Sequence, residues 1–238
     1  VVCNPMSEEK LDRLVGLLRL GSGDAMLDVA CGKAEFIVRV VGRYAARAVG
    51  VDISPYCVDD AKSKCEERLG EADVTFVQMD GAAFASQQRE PFDLTSCMGA
   101  SWVFGGHGET LAALERLTVP GGWVVAGEPY WRSEPSPEYL DASGMKRDSF
   151  GTHEQNIEGG ERLGLRLVHT LVSSEDDWDR YEGLQWYAAD QYARAHPEDP
   201  DTAEIVERVA RERSTYVRWG RETMGWAVYA FRRPPGDG

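Results

Sequence analysis

The chain has 238 residues, of which 42% are hydrophobic and 28% charged, the proportions of an ordinary globular protein. Its formal net charge is −14, which repels phosphate backbones and makes nucleic acid a poor expected partner. Five cysteines without a C-x-x-C pair predict neither a disulfide framework nor a metal site. No apolar run is long enough for a membrane span, and the first twenty residues are too charged for a signal peptide. We therefore expect a soluble, cytoplasmic protein without a membrane partner.

Hydrophobic periodicity predicts a first amphipathic helix followed by alternating strands and helices. Leu11, Leu14, Val15 and Leu18 recur at helical spacing before the Gly21-Ser-Gly turn. Five short apolar runs predict strands near 25–30, 47–53, 73–79, 92–98 and 122–128. Helix-period segments separate most of these runs, and repeated β-α units of this kind indicate a mainly parallel sheet.

The regular pattern stops after the fifth predicted strand. Residues 129–160 contain so many prolines and glycines that we expect an irregular stretch. Two more strands are predicted near 164–173 and 223–232, with two helices between them. The whole pattern predicts an α/β, Rossmann-like, mainly parallel seven-stranded sheet with flanking helices and a helical insert between the last two strands.

Acidic and small residues follow three successive strands. The first strand contains Asp28, ends in small residues and turns through Gly32 into a helix, and such a turn lets a ligand approach the backbone closely. Asp52 ends the second strand, where a carboxylate can accept hydrogen bonds from both hydroxyls of a ribose. Asp80 ends the third strand, within reach of an exocyclic amine. These three strands are thus expected to deliver nucleoside-recognising groups to one edge of the sheet.

The segments that carry this pattern are, in order, DVACGKAEF, VGVDIS, FVQMDGAAF, FDLTSCMGAS and LTVPGGWVVAGEP. The ordered set resembles the class I S-adenosylmethionine-dependent methyltransferases, over roughly residues 6–232. The resemblance implies one domain over 1–238, with a cofactor-binding half at 6–128 and acceptor-pocket or lid insertions at 129–160 and 175–219. Ala30 and Ala34 stand where glycines are usual in the family, and we expect binding to survive these added methyl groups.

The resemblance implies S-adenosylmethionine as the cofactor and assigns a part of it to each motif. Asp28 would orient the turn and the amino group, and Ala30, Cys31 and Gly32 would line the methionine tail. The first helix, with Met6 and Leu11, would close over the cofactor as a lid.

The later motifs carry the nucleoside and the reacting centre. Asp52 would hold the ribose, with Ile53 against the adenine face. Asp80 would meet the adenine amine, and Gly81 or Ala82 the ring edge. Cys97 and Met98 would face the sulfonium and the methionine moiety.

Structural explanations remain open for several of these residues. Asp28 and Asp52 could serve as helix caps, since aspartate is common where a strand turns into a helix. Cys97 and Cys31 are better explained as packed small side chains than as nucleophiles, because no partner residue is evident nearby.

Aromatic residues concentrate where this fold places the acceptor. Trp102, Tyr130 and Trp131 are predicted on loops beside the reaction centre, and Trp178 and Tyr181 on the helical insert. Aromatic walls suit either a flat apolar acceptor or a cationic one. The insert aromatics could instead attach the insert to the sheet. The acidic composition of the insert favours a cationic or neutral acceptor over a phosphorylated one.

Methyl transfer is an in-line displacement that needs a base only when the acceptor must lose a proton. His153 is the first candidate, Glu128 at the predicted end of strand five is the second, and His107 after strand four is the third. We expect a small-molecule acceptor that offers an amine, hydroxyl, thiol or aromatic carbon. The alternatives are a non-methylating protein that binds the cofactor, or a nicotinamide-dependent oxidoreductase. The second is disfavoured because G-x-G-x-x-G is absent at residues 28–35.

Overall fold

One seven-stranded sheet organises the computed structural model, which describes residues 3–236. Its order is β3-β2-β1-β4-β5-β7-β6, and β7 runs antiparallel to both of its neighbours. The strands are Ala25–Val29 (β1), Arg47–Asp52 (β2), Val74–Gln78 (β3), Phe92–Met98 (β4), Thr118–Trp131 (β5), Arg166–Val172 (β6) and Met224–Arg232 (β7). The predicted fold class is confirmed.

Helices cover both faces of this sheet. They are Glu8–Leu18 (α1), Glu35–Tyr44 (α2), Pro55–Leu69 (α3), Gly81–Gln87 (α4), His107–Arg116 (α5), Pro137–Ser143 (α6), His153–Arg162 (α7), Glu175–Ala195 (α8), Thr202–Thr215 (α9) and Arg221–Thr223 (α10). Helices α8 and α9 form the predicted insert between the last two strands. No helix among the described residues is long and apolar enough to cross a membrane.

Side chains along each strand point alternately to the two faces of the sheet, and this divides the core into two layers. Met26 packs with Leu11 and Ile37 on the face covered by α1 and α2, which we call the α1 side. Leu27 and the α5 residue Leu111 pack on the opposite face, the α5 side. Because neighbouring residues of a strand point to opposite faces, each strand contributes to both layers.

The start of the insert holds the segment that precedes α1 and the first turn of α1 itself. The Lys10 ammonium pairs with the Asp177 carboxylate, and the Arg180 guanidinium donates to the backbone oxygen of Met6. The Ser173 hydroxyl donates to the backbone oxygen of Pro5. The N-terminal segment is therefore fixed against the insert by contacts that span more than 160 positions of sequence.

Two predictions about residues 118–160 are wrong. Strand β5 extends to Trp131, so Glu128 is not its last residue, because antiparallel pairing with β7 continues to the Trp131 and Met224 pair. The stretch predicted to be irregular contains α6 and α7. Pro137 occupies the first turn of α6, where a missing N–H is tolerated, and Thr152 caps α7. These residues begin helices rather than prevent them.

Two adjacent glycines in α7 make a matched test of this packing. A Cβ added at Gly160 would lie 2.5 Å from the Phe231 ring of β7, whereas one at Gly159 would meet nothing closer than 3.9 Å. We expect Gly160→Ala to lower the free energy of unfolding by about 1 to 3 kcal/mol through overpacking. Gly159→Ala should be neutral or stabilising by up to about 1 kcal/mol, through helix propensity. Chemical denaturation of both variants checks this, and equal effects would contradict the packing.

Candidate functional site

The turn after β1 adopts an unusual backbone path. Ala30, Gly32 and Ala34 all have left-handed backbone angles, with φ of 54°, 53° and 56°. Alanine in this region costs about 1 kcal/mol, so the two alanines follow the path that glycine would take at some expense of stability. A Cβ added at Gly32 would meet no atom within 4 Å, which leaves this side of the turn open to a ligand.

Asp52 ties that turn to the end of β2. One carboxylate oxygen accepts from the backbone N–H of Gly32 at 2.8 Å, and the other accepts from that of Ser54 at 2.9 Å. Each carboxylate oxygen keeps a further acceptor position, so the group can still bind hydroxyls. Asp52 thus holds the turn in place and faces the same edge as the turn.

Asp28 is a buried carboxyl group and does not cap a helix. The Ser96 hydroxyl of β4 donates to one of its oxygens at 2.7 Å. Burial raises the pKa of Asp28 to about 7, while the Ser96 hydrogen bond lowers it and the nearby charge of Asp52 raises it further. A cationic ligand group beside Asp28 would favour its ionised form.

A small cavity of about 60 Å³ lies between this turn and α1. Its lining comprises Cys3, Asn4, Leu11, Asp28, Ala30, Cys31, Gly32, Lys33, Glu35, Phe36 and Met98. We call it the turn cavity. The carboxamide oxygen of Asn4 has no hydrogen-bond partner, although the residue is only 9% exposed. Sequence reasoning missed Asn4, because the segment before α1 contains no motif that marks it.

The nucleoside candidates lie at the same edge of the sheet. Asp80 is exposed, and its carboxylate caps α4 by accepting from the backbone N–H of Ala83 at 2.8 Å. Gly81 is buried so tightly that a Cβ would lie 2.5 Å from Val29, and Ala82 beside it is half-buried. Ile53 presents a mostly exposed apolar side chain after β2.

The structure separates Cys97 from Met98. Met98 lines the turn cavity, whereas Cys97 is buried on the α5 side, where burial raises the pKa of its thiol. The prediction that both residues face the sulfonium is wrong for Cys97, because adjacent strand residues point to opposite faces. Cys31 does line the cavity, and burial also raises the pKa of its thiol.

A buried polar cluster lies on the α5 side and contains the predicted bases. Glu128 is 4% exposed, and one of its oxygens accepts from the Ser101 hydroxyl at 2.9 Å. Its other oxygen has no hydrogen-bond partner and lies 3.9 Å from Nδ1 of His107. Burial raises the pKa of Glu128 to about 7, and the Ser101 hydrogen bond opposes that rise.

His107 complements this carboxyl group. Its Nε2 lies 3.1 Å from the backbone oxygen of Asn156, an acceptor, so Nε2 carries the proton. Burial lowers the pKa of His107 to about 4, and its Nδ1 has no partner. A proton on Glu128 would give this pair a donor and an acceptor, which could form a hydrogen bond once the two groups moved closer than 3.9 Å.

His153 joins the same cluster through Tyr229. Its Nδ1 lies 3.0 Å from the Tyr229 hydroxyl, which also accepts from the Asn156 side chain at 3.2 Å. Burial lowers the pKa of His153. The structure therefore brings His153, Glu128 and His107 together, although they come from α7, β5 and α5.

The predicted pocket aromatics fall into three different environments. Trp102 is 75% exposed in a single helical turn after β4. Tyr130 and Trp131 were predicted on loops, and this is wrong, because both are buried residues of β5. Tyr130 packs on the His153 ring, and the Trp131 indole donates to the backbone oxygen of Arg147. Trp178 and Tyr181 line a separate cavity.

That cavity, which we call the insert cavity, has a volume of about 610 Å³. Residues of α6, α8 and α9 line it, together with Met224 at the start of β7, which pairs with the last residue of β5. It therefore lies at the edge where the parallel strands end, the edge that also carries the turn cavity. Among residues 3–236, no group of three or more His, Cys, Asp or Glu side chains is placed to hold a metal ion.

Comparison with known proteins agrees with this geometry. Residues 26–122 match the Methyltransferase domain family. The uncharacterized protein YjhP of Escherichia coli is 31% identical over 230 residues, 96% of this chain and 92% of that protein. A trans-aconitate 2-methyltransferase of Paracidovorax citrulli is 32% identical over 124 residues, 52% of this chain and 45% of that protein.

Among solved structures, a SAM-dependent methyltransferase from Geobacter sulfurreducens in complex with S-adenosyl-L-homocysteine superimposes with a TM-score of 0.89. It is 30% identical, and the match covers 97% of this chain and 92% of that one. The ordered strand-end motifs, the open turn and these matches lead to one conclusion. The chain belongs to the S-adenosylmethionine-dependent methyltransferases.

Proposed function

We propose that this methyltransferase acts on a small molecule bound in the insert cavity. The observation that carries the proposal is the pair of cavities at one sheet edge, the turn cavity beneath α1 and the insert cavity beneath α8 and α9. A volume of about 610 Å³ lies in the range typical of small-ligand sites. The matched trans-aconitate 2-methyltransferase is named for a small-molecule acceptor, which supports the same substrate class.

The turn cavity suits the amino-acid end of S-adenosylmethionine. Asn4 offers an unpaired carbonyl oxygen and Asp28 a carboxylate, and both are the kinds of acceptor that an ammonium group requires. The ionised form of Asp28 would be stabilised by that ammonium. Asp52 would hold the ribose hydroxyls with its remaining acceptor positions, and Ile53 would cover the adenine face. When bound, the cofactor supplies an electrophilic methyl group that an acceptor displaces from sulfur.

Trp178 lies on the same side of the sheet as the turn cavity. It lines the insert cavity and also packs against the core cluster that contains Met6 and Leu11, and Leu11 lines the turn cavity. An acceptor that lies against Trp178 would therefore be on the α1 side of the sheet, as the turn cavity is. The segment before α1 covers the turn cavity, since Asn4 lines it and both Asn4 and Met6 are buried.

Glu128 is our choice for the group that removes the acceptor's proton when the acceptor carries one. Its pKa of about 7 suits proton uptake near neutral pH. Glu128 lines neither cavity, and its partner Ser101 begins the helical turn that follows β4. His107 would take part by accepting a hydrogen bond from the protonated carboxyl group. His153 stands further along the same cluster, behind Tyr229.

Product analysis tests the proposed function directly. We expect the protein to transfer methyl groups from S-adenosylmethionine to a member of a panel of amines, phenols and thiols, detected by mass spectrometry as a gain of one methyl group.

With that acceptor, the rate of methyl transfer should rise with pH through about 7 as Glu128 ionises. Ser101→Ala should move this rise to higher pH, because the hydrogen bond that lowers the pKa is lost. A protein that binds the cofactor but methylates no panel member would support the non-methylating alternative.

Asp52 allows a test of the cofactor site that requires no acceptor. We expect Asp52→Ala to weaken binding of S-adenosylhomocysteine by about 2 to 3 kcal/mol in calorimetric titration, through loss of charged hydrogen bonds. Asp73→Ala is the matched control, since Asp73 is an exposed aspartate that precedes β3 at the opposite edge of the sheet. Equal affinities of the two variants would overturn the placement of the ribose. NADH should not bind to any of them.

The buried state of Glu128 can be tested through stability. Its folded-state pKa of about 7 exceeds the ordinary 4.5, so ionisation of this carboxyl group opposes folding as the pH rises between those values. Glu128→Gln removes the penalty, and its amide can donate to His107. We expect the variant to be more stable than the parent by up to about 3 kcal/mol at pH 8, with the difference vanishing below pH 4.5. Denaturation at both pH values measures this, and a less stable variant at pH 8 would show that the carboxylate is paired.

A further inference from the structure

One charged side chain in the insert cavity has no counter-charge. Glu182 of α8 lines the cavity and is only half-exposed. No hydrogen bond or ion pair joins it to any residue among 3–236. Burial raises the pKa of Glu182, and the negative charge of another carboxylate of the lining, Glu212, raises it further. A cation in the cavity would relieve both effects.

The two arginines that line the cavity do not provide that cation. Arg208 lies 3.6 Å from Glu212, and Arg211 lies 3.0 Å from Glu207. Both are pairs between successive turns of α9, and all four side chains are more than half exposed. Each arginine is therefore already matched by a carboxylate, which leaves Glu182 as the uncompensated charge of the lining.

Aromatic rings surround this carboxylate. Trp178, Tyr181, Glu182 and Gln185 lie on one face of α8, at the spacing that aligns side chains along a helix. The Trp178 ring meets the Tyr181 ring edge-on at 6.2 Å and stacks on the Tyr216 ring at 6.4 Å. Aromatic faces attract organic cations, and a carboxylate beside them adds a direct counter-charge.

We propose that the acceptor carries a protonated amine, which binds at Glu182 between the aromatic side chains of the insert cavity. This inference rests on the proposed function, because it names the class of molecule that this cavity takes. The ammonium serves for recognition, since a protonated nitrogen has no lone pair with which to attack a methyl group. The methyl-accepting atom is therefore a different atom of the same molecule.

Three probes that share one ring system test the charge preference. Tryptamine is cationic at pH 7, 3-methylindole is neutral and indole-3-acetate is anionic. Their affinities can be measured by ligand-observed NMR titration of the protein saturated with S-adenosylhomocysteine. We expect tryptamine to bind about tenfold more tightly than either of the other probes, as a partly exposed charged pair would give.

Glu182→Gln keeps the shape of the side chain and removes its charge. It should reduce the affinity for tryptamine to that for 3-methylindole and leave the affinity for 3-methylindole unchanged. Glu198→Gln is the matched control, since it removes the same charge from an exposed turn of the insert outside the cavity. This control should bind all three probes as the parent does.

The possible results separate this inference from the proposed function. Tightest binding of indole-3-acetate would show that the arginines anchor the ligand and would overturn the inference. Tryptamine binding that survives Glu182→Gln, or equal or absent binding of all three probes, would overturn it as well. None of these results changes the titration of the parent protein with S-adenosylhomocysteine, whose failure would instead count against the cofactor site.

Discussion

The parallel pairing of β1 with both of its neighbours is the constraint on which the site depends. Asp28 lies opposite Gly50 of β2 and Ser96 of β4 in this register. That register brings the Ser96 hydroxyl to the Asp28 carboxyl group and sets the turn after β1 beside the end of β2, where Asp52 holds Gly32. Shifting either neighbour by one residue would turn its side chains to the other face and separate these groups. The geometry of the turn after β1 thus depends on the register of the sheet.

Helix α8 contacts the N-terminal part of the chain and also lines the insert cavity. Asp177 holds Lys10 in the first turn of α1, and Arg180 holds Met6 in the segment before it, which covers the turn cavity. Trp178 lies between Asp177 and Arg180 in sequence, and Tyr181 and Glu182 follow them. All three line the insert cavity. One helix therefore contacts the cover of the proposed cofactor site and forms part of the wall of the proposed acceptor site. A ligand that displaces α8 would also disturb the cover of the turn cavity.

The sequence predicted the position of a residue correctly where a local motif and the order of the parallel strands were enough to place it. The strand-end acids Asp28, Asp52 and Asp80 could be placed at one edge because parallel strands end together. Asn4 could not be found in this way, since contacts with residues from 173 to 180 bring its segment over the site, and no local pattern encodes them.

The errors of prediction have equally physical causes. The length of β5 depends on its pairing with β7, nearly a hundred residues later, which buries Tyr130 and Trp131 in the sheet instead of on loops. Cys97 and Met98 could have been separated from sequence alone, because adjacent residues of a strand cannot face the same side. The roles of Glu128 and Glu182 required the structure, since each depends on burial and on the partner that it lacks.

Hydrogen–deuterium exchange with and without S-adenosylhomocysteine tests whether the turn after β1 and the segment before α1 enclose the cofactor. We expect slower exchange on binding at residues 30–36 and at residues 4–11, with little change in α7 on the far side of the sheet. Protection confined to α7 or to the amino ends of the parallel strands would contradict it.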